Sequence, residues 1–531
     1  MEFDYLIVGA GSAGSALASR LSQSGKHSVA LVEAGGRDTS PWIHIPVGYF
    51  KTFGHAKMDW RYVTEPDPGL NGRSLNWPRG RVLGGSSSIN GLLYVRGQKQ
   101  DYDQWRQLGN TGWGWEDVLP CFKRSENWEG GASELRGSEG PLRVSRTRLN
   151  RNAVDAYVQA AQAAGFPHNE DYNGETQEGM GYFQLTAHKG QRCSSAKAYL
   201  TPNRNRSNLT VLTSMATKRV LIEQGRATGI VVQHGNEEKT IRARNEVILS
   251  AGALGSPQIL MLSGIGPGAE LAKFGIEVVR DLAGVGQNLQ DHLQARPIFK
   301  CRSSTINTET NSLWKQAFMA IEYALKRTGP MTMAASLGTG FLKTRDELET
   351  PDIQFHIQPF STDKVGTGTH PFDAFTASVL QLRPESAGHL ELQSANINDH
   401  PLIHPNYLST PLDQQTIVNG IKIARKIAGF EPAKSEIIEE YAPGKAVAEN
   451  DDEAILDWAR NTSTTIYHPT GTCKMGQDTM SVVDERLRVR GISGLRVADA
   501  SIMPVIVSGN TNAPAIMIGE RASDFILEDV A

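Results

Sequence analysis

Residues 4–14 read DYLIVGAGSAG, a short apolar strand that runs directly into the pattern Gly-x-Gly-x-x-Gly. Apolar positions at helical spacing continue to Leu21, and a second apolar strand, SVALV at residues 28–32, ends at Glu33. Strand, glycines, helix, strand and carboxylate in this order predict a βαβ unit that binds a dinucleotide. The pattern does not separate NAD from FAD.

The three glycines of this stretch have separate expected roles. Gly9 permits a sharp turn, Gly11 lets a pyrophosphate approach the backbone, and Gly14 lets the helix pack closely against the sheet. The N–H groups at the start of the helix then face the phosphates, and Glu33 accepts hydrogen bonds from a ribose.

The composition is that of a large and nearly neutral chain. Its 531 residues exceed the size at which one hydrophobic core keeps growing, so we expect two domains. With 54 basic against 57 acidic residues, the formal net charge is −3, so the chain has no overall positive charge that would attract a nucleic acid. The four cysteines are widely spaced and form no Cys-x-x-Cys pair, which indicates reduced thiols and neither a disulfide scaffold nor a zinc site.

Targeting signals are not evident in the sequence. The glycine motif begins close to Met1, and no apolar stretch is long enough to span a bilayer. We therefore expect a cytoplasmic protein without a transmembrane segment. Peripheral association with the inner face of a membrane stays open, as does the oligomeric state.

The two domains are expected to be interleaved along the chain. Residues 41–80 show neither helical nor strand period, which is typical of a long loop over a site. The α/β pattern returns at 246–262, where Ser256 and the following proline predict a helix start. Residues 352–358 alternate polar and apolar, which predicts a half-buried antiparallel strand.

The expected fold class is α/β. A Rossmann-like dinucleotide-binding domain is assembled from the discontinuous segments 1–150, 191–299 and 460–531. A substrate domain, at 151–190 and 300–459, has a mainly antiparallel sheet backed by helices. The third segment of the dinucleotide-binding domain carries the candidate catalytic residues.

Further motifs follow one another in a fixed order. They are GGSS at 84–87, GSP at 255–257, SGIG at 263–266, NLQDH at 288–292, YHPTGTCKMG at 467–476 and SGNTNAP at 508–514. Together with residues 9–14, they resemble the glucose-methanol-choline (GMC) oxidoreductase family. Within the family, the chain is most similar to bacterial choline, aliphatic-alcohol and sorbose dehydrogenases.

The resemblance implies one bound FAD and the oxidation of an alcohol. Val220 then approaches the adenine through its backbone, and Asp499 and Ala500 reach the ribityl and phosphate region. Asn512 also suits a turn. The full set implied for FAD is Gly9, Gly11, Ser12, Ala13, Gly14, Glu33, Ala34, Gly84, Gly85, Asn90, Leu92, Val220, Asp499, Ala500, Asn512 and Ala513. Ile89 stands where certain family oxidases have a histidine that bonds covalently to the flavin, so we expect non-covalent FAD.

His468 and Asn510 are the candidate catalytic residues that the resemblance implies. Oxidation of an alcohol removes a proton and a hydride from adjacent atoms, and the hydride goes to flavin N5. A histidine suits the proton because its pKa lies near the operating pH. An amide can donate a hydrogen bond to the developing alkoxide without competing for that proton.

Two other histidine positions leave alternatives open. His356 lies on the polar face of its strand, either as a substrate contact or facing solvent. His400 and His404 have the spacing of two helical metal ligands, but Pro401 and Pro405 disfavour a helix there, so we expect no metal.

The expected function is that of an FAD-dependent dehydrogenase. It oxidises a primary alcohol to an aldehyde and passes electrons to a quinone or another acceptor that is not oxygen. Three alternatives remain: an oxidase that reduces dioxygen, a lyase of the same fold, and a non-catalytic dinucleotide-binding redox sensor. The sequence does not identify the alcohol.

Overall fold

The computed structural model describes residues 1–363 and 368–530. The strands of the described residues are β1 (Glu2–Val8), β2 (Val29–Val32), β3 (Tyr62–Val63), β4 (Asn76–Trp77), β5 (Glu126–Trp128), β6 (Leu142–Arg146), β7 (Gly179–Tyr182), β8 (Gln184–Leu185), β9 (Ala187–His188), β10 (Gln191–Arg192), β11 (Leu209–Leu212), β12 (Ala216–Glu223), β13 (Arg226–His234), β14 (Glu237–Leu249), β15 (Ile265–Gly266), β16 (Arg280–Asp281), β17 (Leu293–Ala295), β18 (Ile298–Cys301), β19 (Gly338–Leu342), β20 (Ile353–Gln358), β21 (Ala374–Gln381), β22 (His389–Glu391), β23 (Leu402–His404), β24 (Ile437–Ala442), β25 (Thr464–Thr465) and β26 (Leu495–Val497).

The α-helices of the same residues are α1 (Ser12–Leu21), α2 (Pro41–His44), α3 (Tyr49–Thr52), α4 (Lys99–Gln107), α5 (Trp115–Ser125), α6 (Asn152–Ala163), α7 (Gly252–Leu262), α8 (Gly268–Lys273), α9 (Ile306–Glu309), α10 (Leu313–Lys326), α11 (Pro411–Ala428), α12 (Ala433–Glu436), α13 (Asp452–Thr462) and α14 (Asn512–Asp529).

The first sheet has the strand order β11-β2-β1-β14-β13-β12, with β26 beside the carboxyl-terminal part of β14. β11, β2, β1, β14 and β26 are parallel, while β12 and β13 form an antiparallel meander onto β14. The apolar runs of β1 and β2 are buried because parallel strands have both faces covered. This sheet confirms the Rossmann-like half of the expected α/β class.

Two glycines allow α1 to reach this sheet. A Cβ atom on Gly14 would lie 2.0 Å from the carbonyl oxygen of Gly9. A Cβ on Gly9, whose φ is +99°, would lie 2.4 Å from the carbonyl oxygen of Ser250 at the end of β14. Side chains at either position would push the helix away from the strands.

The second sheet is antiparallel and has the order β24-β18-β21-β20-β19-β7, with β17 linking β21 to β25. Its core includes residues of α6 and α11, which pack against one face. All six residues of β20 are buried, so the expectation of a half-buried strand is wrong. Its polar face is covered because it points into the space between the two sheets and not to solvent.

The expected domain boundaries differ from the sheet pairing in two places. The boundary between residues 299 and 300 falls inside β18, and both β17 and β18 pair in the second sheet. β25, within the expected third dinucleotide-binding segment, also belongs to the second sheet. We propose that the substrate domain begins before Leu293 and ends after Thr465.

Two local expectations also change. The segment 41–80 contains α2, α3, β3 and β4 and is only partly irregular. Helix α7 begins at Gly252 and not at Ser256. The Ser256 hydroxyl lies in the second turn, where it accepts from the Ala251 N–H at 3.1 Å and donates to Asp499 Oδ2 at 2.6 Å.

Candidate active site

A cavity runs between the two sheets, from the glycines after β1 to the polar face of the second sheet. Most of the site residues expected from the sequence line it: Gly9, Gly11, Ser12, Ala13, Glu33, Ala34, Gly85, Asn90, His356, His468, Asp499, Ala500, Asn510 and Asn512. The fold therefore brings together residues from both ends of the chain.

Four other expected FAD contacts lie behind the cavity wall and not on it. Gly14 packs against the backbone of Gly9, and the Gly84 N–H donates to the Ala10 carbonyl at 2.8 Å. Leu92 is buried in a hydrophobic cluster, and Ala513 is 3% exposed in the first turn of α14. These residues shape the wall through their backbone packing.

Val220 does not fit its expected contact with adenine. Its side chain lies in the hydrophobic core, and its N–H donates to Ser263 Oγ at 2.8 Å. Three residues earlier, Thr217 lines the cavity, and its buried hydroxyl has no hydrogen-bond partner among the described residues. We propose Thr217 in place of Val220 as the residue at the adenine end.

The cofactor end of the cavity, formed around Gly11, Glu33 and Asp499, has the features that a dinucleotide requires. The amino-terminal ends of α1, α7 and α14 all border it, and helix N-termini favour anions. A Cβ on Gly11 would meet nothing within 4 Å, so the backbone there is open to a phosphate. The site therefore fits FAD, for which these residues would bind the pyrophosphate and the adenosine.

Glu33 lies at the end of β2, as expected. Its Oε2 accepts from the Ala10 N–H at 2.9 Å and its Oε1 from the Gly35 N–H at 2.8 Å. Burial raises the pKa of this carboxyl to about 7, against the opposing effect of the two hydrogen bonds. Lone pairs that face the cavity stay available for the hydroxyls of a ribose.

A chain of hydrogen bonds fixes the state of His468. His292 Nε2 lies 2.9 Å from the Leu382 carbonyl oxygen, which can only accept, so this nitrogen carries the proton of His292. His292 Nδ1 is then an acceptor, and His468 Nδ1, 3.0 Å away, must donate to it. The remaining nitrogen of His468, Nε2, is therefore unprotonated.

Asn510 faces this unprotonated nitrogen. Its amide Nδ2 lies 3.1 Å from His468 Nε2, and its Oδ1 accepts from Gln354 Nε2 at 3.3 Å. Because Gln354 orients the amide, the N–H groups of Asn510 point to the proton-accepting side of His468. Both side chains line the cavity.

Asp291 positions the backbone that carries His468. Its Oδ1 accepts from the His468 N–H at 2.6 Å, and its Oδ2 accepts from the Thr465 and Tyr407 hydroxyls. The preceding residue, Tyr467, has a φ of +70°, in the left-handed region that few residues with side chains adopt. The buried carboxylate thus stabilises an unfavourable turn that directs His468 into the cavity.

The histidines of the site are neutral at physiological pH. Burial lowers the pKa of His468 well below its ordinary value, and the charges of His292, His356 and Arg79 lower it further. Burial also lowers the pKa of His292 to about 4 and that of His356 to about 3. His468 therefore presents an unprotonated Nε2 at the cavity wall, next to the Asn510 amide.

His356 faces the cavity and not solvent, with 1% of its surface exposed. Its Nδ1 lies 3.4 Å from the Ser336 hydroxyl, and its buried Nε2 has no partner among the described residues. This placement decides between the two alternatives for His356. Its role as a substrate contact is a proposal that the unpartnered nitrogen supports.

The structure separates the two histidines considered as metal ligands. His400 packs against the ring of Tyr62, whereas His404 lies directly opposite His389 in the β22–β23 ribbon. His389, Glu391 and His404 offer ligand atoms within 4.8 Å of one another, a grouping that the sequence analysis did not consider. None of the three lines the cavity formed by residues 1–363 and 368–530.

Sequence reasoning missed His292, Asp291, Gln354 and Thr217 as site residues. His292 and Asp291 stand in the quoted NLQDH stretch, but their partner His468 lies more than 170 residues away. Gln354 shares the strand alternation of His356, which was the available signal.

The helices of the described residues were also compared with the requirements of a bilayer span. None of them, over residues 1–363 and 368–530, is both long enough and apolar enough to cross a membrane.

The chain is similar to several proteins whose activities are described. The chain is 43% identical over 532 residues to the oxygen-dependent choline dehydrogenase of Brucella anthropi, covering 99% of this chain and 96% of that protein. It is equally 43% identical over 532 residues, with the same coverage, to the alcohol dehydrogenase (acceptor) of Pseudomonas putida. Among solved structures, an R554A variant of Aspergillus oryzae RIB40 formate oxidase, studied for FAD modification, superposes with a TM-score of 0.91 at 28% identity, covering 99% of this chain and 98% of that chain.

Two family models, both described as GMC oxidoreductase, match residues 3–294 and 384–519. Together they cover most of the chain, including the glycine motif, His292, His468 and Asn510. The chain therefore belongs to the GMC oxidoreductase family and is an FAD-dependent enzyme that oxidises alcohols.

Proposed function

We propose that this enzyme oxidises a primary alcohol to an aldehyde, with His468 as the base and Asn510 as the hydrogen-bond donor to the alkoxide. The observation that carries this proposal is the 3.1 Å separation of His468 Nε2 and Asn510 Nδ2 at the cavity wall. One alcohol oxygen on the cavity side, within hydrogen-bond distance of both atoms, gives its proton to the imidazole and accepts a hydrogen bond from the amide. FAD, when bound, supplies the acceptor for the hydride of the carbinol carbon.

The cofactor is proposed to be non-covalent. Ile89 lines the cavity and offers no nucleophile to the flavin. Denaturation of the purified protein is expected to release FAD into the supernatant, and flavin that stays with the precipitated chain would contradict this.

A membrane quinone is the acceptor that we propose. The support is the outer face of α10, where five large apolar side chains are each more than half exposed: Leu313, Trp314, Phe318, Ile321 and Leu325. Lys315, Lys326 and Arg327 flank this apolar stripe, the arrangement of a helix that lies in the surface of an anionic bilayer. The protein would then be cytoplasmic and associate peripherally with the inner face of the membrane.

The carboxyl-terminal end of α10 is close to residues that precede the cavity wall. The turn Pro330–Thr332 that follows α10 contacts the turn Pro46–Gly48. The next residues, Tyr49 and Phe50, line the cavity. A bilayer against α10 would therefore lie beside the route by which an acceptor reaches the flavin.

Vesicle sedimentation tests the membrane proposal. We expect the wild type to sediment with vesicles that contain phosphatidylglycerol, and the double variant Trp314→Gln, Phe318→Gln to stay in solution with unchanged activity toward a soluble dye. The wild type could instead fail to bind vesicles and form dimers, while the variant is monomeric. That result would contradict the membrane proposal and show that the apolar stripe contacts a second copy of the chain.

Anaerobic mixing with alcohol tests the catalytic proposal. The oxidised flavin absorption of the wild type is expected to disappear, whereas His468→Gln retains FAD and bleaches at least about 100-fold more slowly. His234→Gln, an exposed histidine, serves as the matched control. An alcohol that is cleaved without bleaching would indicate a lyase, and rapid oxygen consumption during turnover would indicate an oxidase.

A further inference from the structure

Two rows of polar side chains lead away from the catalytic histidine along the second sheet. Gln294 lies in β17, and His292 and Arg296 directly flank that strand, so the three residues alternate along the chain on the side of the cavity. His292 contacts His468, and the other two line the cavity. The second row is on β20, where Gln354 orients Asn510 while His356 and Gln358 line the cavity.

The two rows are in register across β21. Gln294 and Gln354 both lie opposite Leu380, which places them at the same level of the sheet. Arg296 reaches Gln358 one step further along, where its Nη2 lies 3.5 Å from Gln358 Oε1. With about 3.3 Å per strand residue, Arg296 begins about 13 Å from the backbone of His292. The guanidinium is therefore at the far end of the substrate space.

Arg296 is buried, with 7% of its surface exposed, yet it has no ion pair among residues 1–363 and 368–530. Its Nε has no partner in this part of the chain. The carboxylate whose charge acts on it belongs to Asp363, but that side chain is 76% exposed and pairs with His370 at 3.1 Å. A guanidinium does not lose its proton under physiological conditions, so this one keeps unused donors.

The other buried arginines of the described residues have more hydrogen-bond partners than Arg296. Arg96 and Arg136 both contact Glu126 at 2.6 Å, and Arg496 contacts Glu246 at 2.7 Å. Arg192 lacks a carboxylate partner but donates to the backbone and side chain of Asn90 and to further carbonyls. Arg296 is thus a buried cation with neither a carboxylate partner nor a backbone acceptor among residues 1–363 and 368–530.

The carboxylates that line the cavity lie at the cofactor end. Among the described lining residues they are Glu33 and Asp499, and both accept hydrogen bonds from the protein itself. The cavity wall on the side of Arg296 also has aromatic side chains, which are Tyr49, Phe50 and Phe360. A cationic alcohol such as choline would meet repulsion here, and an anion would meet unused donors.

We propose that Arg296 binds a carboxylate of the substrate, so that the alcohol oxidised by this enzyme is a hydroxy acid. The hydroxyl group lies at His468 and Asn510, an aryl or alkyl spacer packs on the aromatic wall, and the carboxylate pairs with Arg296 and Gln358. This inference rests on the proposed alcohol oxidation, because it names the class of alcohol for the same site.

Matched pairs of alcohols test the inference. The probes are 4-(hydroxymethyl)benzoate and a series of ω-hydroxy carboxylates, each beside its neutral amide, together with choline. Charge-assisted hydrogen bonds from a guanidinium are expected to raise kcat/KM for at least one carboxylate about 10- to 100-fold over its amide. Arg296→Gln is expected to remove this preference, mainly by raising KM for the carboxylates toward KM for their amides.

Two further variants control for indirect effects. Arg296→Lys keeps the charge and is expected to restore part of the preference, although without the planar pair of donors. Arg302→Gln changes an exposed arginine a few residues later in the chain and is expected to leave every ratio unchanged. Any of three results would overturn the inference. They are equal kcat/KM for each carboxylate and its amide, a preference for carboxylates that persists in R296Q, and choline as the best substrate.

A binding measurement separates this inference from the proposed function. Millimolar 4-methylbenzoate, which has no hydroxyl to oxidise, is expected to raise the Tm of the FAD-loaded wild type but not that of R296Q. A shift in the wild type without bleaching by any alcohol would reject the alcohol oxidation and keep the anion site. The amides could bleach the flavin while 4-methylbenzoate does not shift Tm and carboxylates are not preferred. That result would reject the anion site and support the alcohol oxidation.

Discussion

The two ends of the cavity recognise their ligands in different ways. At the cofactor end, backbone N–H groups, three helix N-termini and the open position at Gly11 form the wall. At the substrate end, side chains of β17, β20 and the segment 467–510 form it, and several of their buried polar atoms lack partners among the described residues. A backbone site is specified by a short local pattern, whereas a side-chain site depends on which distant strands become neighbours.

The largest expected effect concerns the donor at the substrate end. Asn510→Ala removes the hydrogen bond to the developing alkoxide, and we expect kcat to fall about 10²- to 10³-fold. The flavin spectrum should stay unchanged, because the cofactor end does not depend on this side chain. Stopped-flow reduction measures the step directly, and a loss of less than about threefold would show that Asn510 serves packing.

His292 provides a test of positioning at the same end. His292→Leu removes the acceptor for His468 Nδ1, so the tautomer of His468 is no longer fixed, and we expect kcat to fall roughly 10²-fold with little change in KM. The acid limb of the pH–kcat profile should move as well, because the charge of His292 contributes to the lowered pKa of His468. An unchanged profile with reduced kcat would indicate a purely structural role.

A pair of glycine variants tests the cofactor end. Gly11→Ala places a methyl group in open space, so the apoprotein should keep its stability while FAD affinity falls. Gly14→Ala places a methyl group against the Gly9 carbonyl, and we expect it to cost about 1–3 kcal/mol of folding stability. Tm of the apoproteins and FAD titration distinguish the two, and equal losses of Tm would contradict the assignment.

The smallest expected effect is on pH-dependent stability. His356 has a folded pKa of about 3, so below pH 6.5 the unfolded chain binds a proton there that the folded protein does not. Stability therefore falls as the pH is lowered, by about 1.4 kcal/mol per pH unit for this residue between pH 6.5 and the folded pKa. His356→Gln removes this contribution, and its Tm should decrease less steeply than that of the wild type between pH 6.5 and 4.5.

Several expectations held because they rest on neighbouring residues. The βαβ unit from β1 to Glu33 follows directly from apolar runs and glycines within about thirty residues. The motif resemblance also gave the family, which the family matches confirm.

Other expectations were wrong at positions where burial and hydrogen-bond partners depend on tertiary packing. β20 was expected to have one solvent face, but the cofactor-binding half covers it. Val220 and Thr217 are three residues apart on one strand, and only the structure shows which one lines the cavity. Pro257 suggested a helix start near Ser256, but the Ser256 hydroxyl bonds to Asp499, more than 240 residues away.

By itself, the sequence determined the dinucleotide motif, the class of fold and the family, because each is carried by residue types at short and fixed spacing. Tertiary structure alone decided that His292 donates to Leu382 and accepts from His468, and that Arg296 is buried with no carboxylate partner among residues 1–363 and 368–530. The physical reason is that hydrogen-bond partners, burial and missing ion pairs depend on strands far apart in the chain, and no local spacing encodes which of those strands lie side by side.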